Sequence, residues 1–407
     1  MLAILALPVV TAVLALGYLK VLVTLLLPTV GQVLAGPLSW VADAMLGLVS
    51  HASTWPAAAV PLATPPSVAW VGATLLATLG LLHVGAARSR ALPAVALVVC
   101  VAWLVIDERS VRLNLPGVRD DASALRLNMF AVGDGSCFLL RIDDGARPFM
   151  TAGDTGQTIM FDCGSQAYLD VGFKSIAPAL GELGVRRIDT LILSHADLDH
   201  FSGVMDVMDH VPVGRILAPP QLLAEARDAE RGTTHHLIES LRRRGYTVQA
   251  IAQGWAERCA DAQLDVLWPP ADYEAKRAND TSIVLSVTVA GRRVLLNGDI
   301  QQDAIAALLD SGVTLKADVT DLPHHGSFVA DSPRWFEAVQ PMIALQSSGP
   351  GRLHNDQWRE VIDASRAVRL ITDRHGMVEV AIGRDGEVAW STFKGHLGEF
   401  REIGRAH

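Results

Sequence analysis

Between Ser194 and His200 the chain reads Ser-His-Ala-Asp-Leu-Asp-His, which puts two imidazoles and two carboxylates within six residues. These are the side chains that bind divalent cations through nitrogen and oxygen, and a solvated acidic turn seldom gathers four of them. His195, Asp197, Asp199 and His200 cannot all share one face of a regular helix at this spacing. On a tight turn at a strand end they can split into two pairs and hold two neighbouring cations. The apolar run Leu191-Ile192-Leu193 supplies that strand. The chemistry in view is metal-assisted hydrolysis.

Other residues are set up to join them. Asp299 ends the run Leu295-Leu296-Asn297-Gly298-Asp299. Glycine there lets the backbone approach closely, so the carboxylate can bridge two metals, although Gly-Asp alone is usually a turn. His324-His325-Gly326-Ser327 follows another strand, and either histidine can serve as a ligand. Asp162, also at a strand end, can orient a ligand or a water from behind. Asn279 offers a carbonyl oxygen, and an ordinary turn or cap residue is an equally good reading of it. His354 follows the flexible stretch 347–351 and can reach a substrate phosphate. His210, His235, His236, His375 and His396 lack such settings and read as surface or structural residues.

The elements that must position these groups lie beyond Asp107, where charges appear and short apolar runs alternate with turn residues. Strands are predicted at 125–130, 137–142, 158–161, 190–193, 215–218, 247–251, 264–267, 282–289, 293–296, 319–322, 367–371, 377–382 and 387–391. Helices are predicted at 175–183, 201–210, 222–245, 302–309 and 332–339. Arg384-Asp385-Gly386 turns the last two strands into a hairpin. Strands interspersed with helices, with hairpins at both ends, predict an α/β sandwich over 125–391, followed by a tail at 392–407.

Of the 407 residues, 50% are hydrophobic, and the excess is concentrated before Asp107. Apolar runs at 2–49, 68–86 and 91–106 give about three to four membrane crossings within 1–107. A cleaved signal peptide fits poorly, because no basic leader precedes the first run. Arg88 and Arg90, in the short connection between the last two runs, favour the cytoplasmic side. They place the later residues on the outer face of the cell inner membrane, although Arg109 and Arg112 argue the other way. A net charge of -9 gives no support to an extended basic nucleic-acid face, but a bound dication supplies local positive charge. The four cysteines show no C-x-x-C spacing and read as small buried residues.

Taken in order, these pieces resemble the metallo-β-lactamase superfamily. More narrowly, they resemble the C-terminal hydrolase domain of ComEC-type competence proteins, the membrane channels of DNA uptake. The resemblance rests on Val132-Gly133 with Gly135, Asp162-Cys163-Gly164, the Ser194 to His200 motif and Asn279 with Ser282. It rests further on Gly298-Asp299, Pro323-His324-His325-Gly326-Ser327, and Thr372-Asp373 with Gly376. It implies an αββα sandwich with the metals at one edge between two sheets, preceded by a short bundle of transmembrane helices similar to the tail of the channel. The family's Val-Gly-Gln-Gly-Asp turn is altered here, with Asp134 and Ser136 at the changed places. The longer helix bundle and small β-barrel that usually come first are absent from the sequence, so the chain reads as a truncated or split channel protein or as a membrane-tethered hydrolase.

The ligand roles implied by the resemblance are specific. His195 and Asp197 hold one metal, Asp199 and His200 the other, and Asp299 bridges them. One of His324 and His325 completes the second site, with Asn279 a further ligand of the first. Many members carry histidine where this chain has Asp197 and Asn279, and oxygen donors make the site harder, so Mn²⁺ competes with Zn²⁺. The implied activity is that of a phosphodiesterase or nuclease with Asp199 essential and His354 at the leaving oxygen. Its substrate is DNA, as a single strand near the membrane, and a larger channel subunit is its partner. Two rival readings are a hydrolase of another phosphoester or ester and a non-catalytic subunit of a DNA-transport assembly.

Overall fold

A computed structural model describes residues 123–143, 156–168, 170–228 and 232–393, the backbone of 400–406, and the isolated residues Lys20 and Thr24. The apolar runs expected to cross a membrane lie outside the described residues. Among the described residues no helix is long and apolar enough to do so.

The first strands are β1 (Ser123–Met129), β2 (Phe138–Asp143), β3 (Gly156–Phe161), β4 (Ile188–Ile192), β5 (Val213–Ala218) and β6 (Val248–Ala250). A second series follows: β7 (Ala256–Cys259), β8 (Ala262–Trp268), β9 (Val284–Val289), β10 (Arg292–Leu296), β11 (Val319–Asp321), β12 (Ile343–Gln346) and β13 (Val368–Ile371). The chain then returns through β14 (Val378–Gly383), β15 (Val388–Phe393) and β16 (Phe400–Ala406). One sheet has the order β16-β15-β14-β1-β2-β3-β4-β5-β6 and the other β13-β12-β11-β10-β9-β8-β7. Each has a parallel half, β3 to β6 in the first and β10 to β13 in the second.

Three apolar clusters define four layers. Leu125, Leu127, Phe138, Leu140 and Phe161 from the first sheet meet Leu264, Leu285, Leu296 and Leu345 from the second. The alternate residues Leu139, Met160 and Leu191 point outward, as period-two strands require. They are covered by helices α1 (Ala177–Glu182), α2 (Leu198–Phe201), α3 (Val204–His210), α4 (Pro220–Asp228) and α5 (Thr233–Arg243). The far side of the second sheet is covered by α6 (Gln302–Asp310), α7 (Ser332–Val339) and α8 (Trp358–Asp363) through Ile305, Trp335, Phe336 and Trp358. Burying each such side chain contributes about 1.5–3 kcal/mol. The central strands are apolar on both faces because both faces are covered. The result is the expected α/β sandwich.

Several expectations are corrected. The helix expected over 222–245 is two helices, α4 ending at Asp228 and α5 beginning after the extended Gly232, and the stretch expected at 201–210 begins at Leu198 and breaks at Ser202-Gly203. Strands β7 and β12 and helix α8 carried no clear sequence signal. Within the expected tail, the backbone of Phe400–Ala406 pairs antiparallel with β15.

Candidate metal centre

The carboxyl ends of parallel strands from both sheets meet at one edge of the sandwich, a common place for a site in α/β folds. Asp162 follows β3, His195 to His200 follow β4, Asp299 follows β10, and His324 and His325 follow β11. Two glycines permit the approach. A Cβ at Gly164 would lie 2.6 Å from the Asp199 carbonyl, and Gly298 adopts φ +53 with Ser194 and Ser282 packed against it.

Asp162 is fully buried and adopts φ 59, a region that few residues other than glycine visit. Its Oδ1 accepts from the Ser194 backbone N–H at 2.7 Å, and its Oδ2 accepts from Ser194 Oγ at 2.8 Å and from His200 Nδ1 at 2.7 Å. His200 therefore carries its Nδ1 proton toward Asp162 and turns Nε2 to the cluster. Since Ser194 Oγ donates to Asp162, it accepts from His195 Nδ1 at 3.1 Å, which leaves the His195 Nε2 lone pair free.

Ligand atoms of Asp199, His200, Asp299 and His325 lie within 4.8 Å of one another. His325 Nε2 sits 3.4 Å from Asp199 Oδ2 and 3.4 Å from Asp299 Oδ2. His200 Nε2 is 3.1 Å from Asp299 Oδ1 and makes no hydrogen bond there. The buried Nε2 atoms of His195, His200 and His325 all lack a hydrogen-bond partner. Each such atom costs about 1–3 kcal/mol when left bare, so three beside two carboxylates fit a bound cation.

The electrostatics agree. Burial, reinforced by the neighbouring His200, pushes the His195 imidazole down to about 3, which keeps it neutral as a ligand must be. Burial opposes ionisation of Asp299, yet the imidazoles of His200 and His325 hold it well below the usual carboxylate range. Burial also opposes charge on His200, but Asp299 and Asp162 raise it well above an ordinary histidine in the metal-free chain.

The two adjacent histidines differ. Both have left-handed backbones, φ 50 at His324 and φ 56 at His325. His325 is 5% exposed and faces both carboxylates. His324 takes a hydrogen bond from Gln301 Nε2 at Nδ1, 2.7 Å long, and keeps 3.6 Å from Asp299 Oδ2. Its proton then sits on Nε2, which leaves no lone pair facing the cluster.

The remaining expected residues are arranged as follows. Asn279 Nδ2 donates toward Asp299 Oδ2 at 3.5 Å, so its amide is beside the centre. Asp197 is exposed and caps α2 through the Leu198 N–H, outside the four converging ligands. Burial and the Asp199 charge raise its carboxyl. His354 is exposed and turns Nδ1 to the Pro350 carbonyl at 3.2 Å, because Pro350–Leu353 forms a tight turn that carries the ring away. Asp134 accepts from the Gly349 N–H at 3.0 Å and so anchors the loop after β12, while Ser136 lines a cavity of about 10 Å³ with Asp299, Asp321, His325 and Ser347.

Two residues not expected from the sequence, Asp321 and Gln346, also support the site. Asp321 Oδ1 accepts from Asn297 N at 2.8 Å and from Asn297 Nδ2 at 2.7 Å, bracing the strand end that carries Asp299. Gln346 Nε2 donates to the His325 carbonyl at 3.1 Å. A carboxylate at a strand end just before Leu322-Pro323 was the available signal for Asp321, and Gln346 had none.

A model of the metallo-beta-lactamase superfamily matches residues 133–370. The chain belongs to the metallo-beta-lactamase superfamily. That membership implies divalent metal, and the mixed imidazole and carboxylate cluster of this superfamily member suits it. Competence proteins are among its relatives, in line with the ComEC-type resemblance. "ComE operon protein 3" of Bacillus subtilis (strain 168) is 26% identical over 233 residues, 56% of this chain and 29% of the relative. "Competence protein ComA" of Neisseria gonorrhoeae is 28% identical over 308 residues, 72% of this chain and 39% of the relative. "Uncharacterized protein YcaI" of Escherichia coli (strain K12) is 26% identical over 212 residues, 52% of this chain and 25% of the relative. The chain thus spans well under half the length of these relatives.

Proposed function

We propose that the chain is a membrane-anchored, two-metal phosphodiesterase that cleaves DNA, as a single strand, in connection with DNA uptake. The observation that carries the reading is the convergence of Asp199, His200, Asp299 and His325, with three buried imidazole nitrogens left without partners. His195, Asp199, His200, Asp299 and His325 would hold two divalent cations, with Asn279 and Asp197 at their margin. When bound, the ions lower the pKa of a water and neutralise charge on the phosphodiester.

The chain's own groups do the positioning. Asp162 fixes the His200 tautomer, and Ser194 fixes that of His195. Asn279 and the Ser282 hydroxyl, which accepts from Asp299 N at 3.0 Å, hold the Asp299 carboxylate in place. The mixed nitrogen and oxygen donors suit Zn²⁺ or Mn²⁺. The two named competence relatives support DNA as substrate, and the apolar runs of 1–107 support the anchor.

The test is cleavage of labelled single- and double-stranded oligonucleotides by the full chain, stripped of metal and reloaded with Zn²⁺ or Mn²⁺. We expect metal-dependent cleavage, faster on the single strand, from a membrane fraction that resists alkaline extraction. Asp199→Ala should abolish it with near-UV circular dichroism unchanged. Failure of both metals to restore any cleavage, or full activity in Asp199→Ala, would sink the reading.

A further inference from the structure

The tight turn Pro350–Leu353 lies just after β12 and brings Arg352 beside the histidine turn. Arg352 Nη1 donates to the hydroxyl of Ser327, the residue that closes His324-His325-Gly326-Ser327. That anchor uses one of five N–H donors. Among the described residues no carboxylate pairs with Arg352. Most other partly buried arginines of the sandwich are paired: Arg215 with Glu257, Arg292 with Asp318, and Arg369 with Asp356.

Arg369 makes the contrast plain. It is held by Asp356 at 2.7 Å and 2.8 Å and by Gln346 at 3.0 Å, and Gln346 in turn holds the His325 carbonyl. Its fork is spent inside the protein, on bracing the histidine turn. Arg352 is braced by a single hydroxyl, is half-buried, and keeps the rest of its fork unmatched beside the histidine turn. A partly exposed guanidinium with no carboxylate partner keeps N–H donors free for an incoming oxyanion, and its planar fork suits phosphate.

Resting on the phosphodiesterase reading, we infer that Arg352 is the residue that grips a backbone phosphate of the nucleic-acid strand next to the scissile bond. It thereby selects anionic phosphodiesters over neutral esters. Ser327 is the positioning residue that aims it.

The experiment measures binding of a fluorescein-labelled oligothymidylate with phosphorothioate linkages to the full chain, across a salt series, alongside steady-state cleavage. Arg352→Gln should weaken binding about tenfold or more, the effect of losing a charge-assisted hydrogen bond. It should also flatten the dependence of log affinity on log salt by about 0.7, the signature of one lost phosphate contact on a single strand. Arg352→Lys should restore the salt slope but only part of the affinity, and Ser327→Ala should lose affinity with the slope kept. Hydrolysis of a neutral nitrophenyl ester and bound metal content should not change. An unchanged salt slope in Arg352→Gln, or an equal loss on the neutral ester, would overturn the inference while leaving wild-type cleavage to speak for the hydrolase. Arg352-dependent binding without any wild-type cleavage would support the inference and remove the hydrolase reading.

Discussion

The two strand-end turns that meet at the candidate metal centre are held by different means. The turn after β4 carries its ligands in a dense local motif and continues into a helical turn whose N-terminus Asp197 caps. Its histidines are aimed by close neighbours in the fold, Ser194 and Asp162. The turn after β11 carries two histidines side by side with left-handed backbones, and partners from other segments hold it: Gln346 on the His325 carbonyl, Gln301 on His324 and Arg352 on Ser327. A left-handed residue other than glycine costs about 1–3 kcal/mol, so such a turn persists only where surrounding contacts fix it. Half of the positive-φ residues other than glycine among the described residues, three of six, are Asp162, His324 and His325. In the first turn Ser194 and Asp162 set the imidazoles themselves, and in the second Gln346 and Arg352 hold a strained backbone and its flank.

The largest break in this comparison should come from the histidine pair. His325→Ala removes a converging ligand, and hydrolysis should fall by more than the ~10–100-fold that outer-shell partners cost. His324→Ala should cost far less. Metal content by plasma mass spectrometry and cleavage rates on both variants decide it, and equal losses would contradict the division of roles.

A smaller effect belongs to the turn after β4. Asp162→Ala leaves His200 Nδ1, Ser194 N and Ser194 Oγ without their acceptor. Metal affinity measured by chelator competition should fall about 10–100-fold, with the ligands themselves intact. Asp162→Asn should recover part of it. Wild-type affinity in Asp162→Ala would mean that Ser194 alone orients the histidines.

The smallest effect concerns stability under the second turn. Burial raises the Asp321 carboxyl to about 7, although Asn297 donates to it. The folded value exceeds the unfolded one of about 4, so ionisation disfavours the fold. The stabilisation from the protonated acid is complete below about pH 4 and is lost as pH rises through about 7, a change on the order of 2–4 kcal/mol. In metal-free protein, denaturant midpoints should therefore fall between pH 4 and pH 7 relative to Asp321→Asn, whose side-chain oxygen still accepts from Asn297. Parallel pH profiles for the two proteins would refute this.

Most strands were legible because their apolar runs end in turn residues. The sequence reading places β3, β4, β10 and β13 within two residues of their observed ends. β12 was not legible: Ile343–Gln346 is buried throughout, with no alternation to mark it. The α4–α5 break was hidden in a continuous charged amphipathic pattern. His354 looked available because the residues before it are small and polar, but the turn at Pro350 directs its ring to a carbonyl.

By itself the sequence determined the chemistry on offer: an imidazole and carboxylate motif behind a strand, with a Gly-Asp and a His-His-Gly-Ser turn behind two others. Ligand type is a property of single side chains, and spacing within one turn is fixed by local backbone geometry. Only the tertiary structure decided which of His324 and His325 faces the carboxylates, that Asp162 aims His200, and that Arg352 is left without a counter-ion. Those outcomes depend on contacts between segments up to about two hundred residues apart in the chain, such as the one joining Asp134 to Gly349. No local pattern records them, because they arise only when the two sheets pack face to face and bring their strand ends to a common edge.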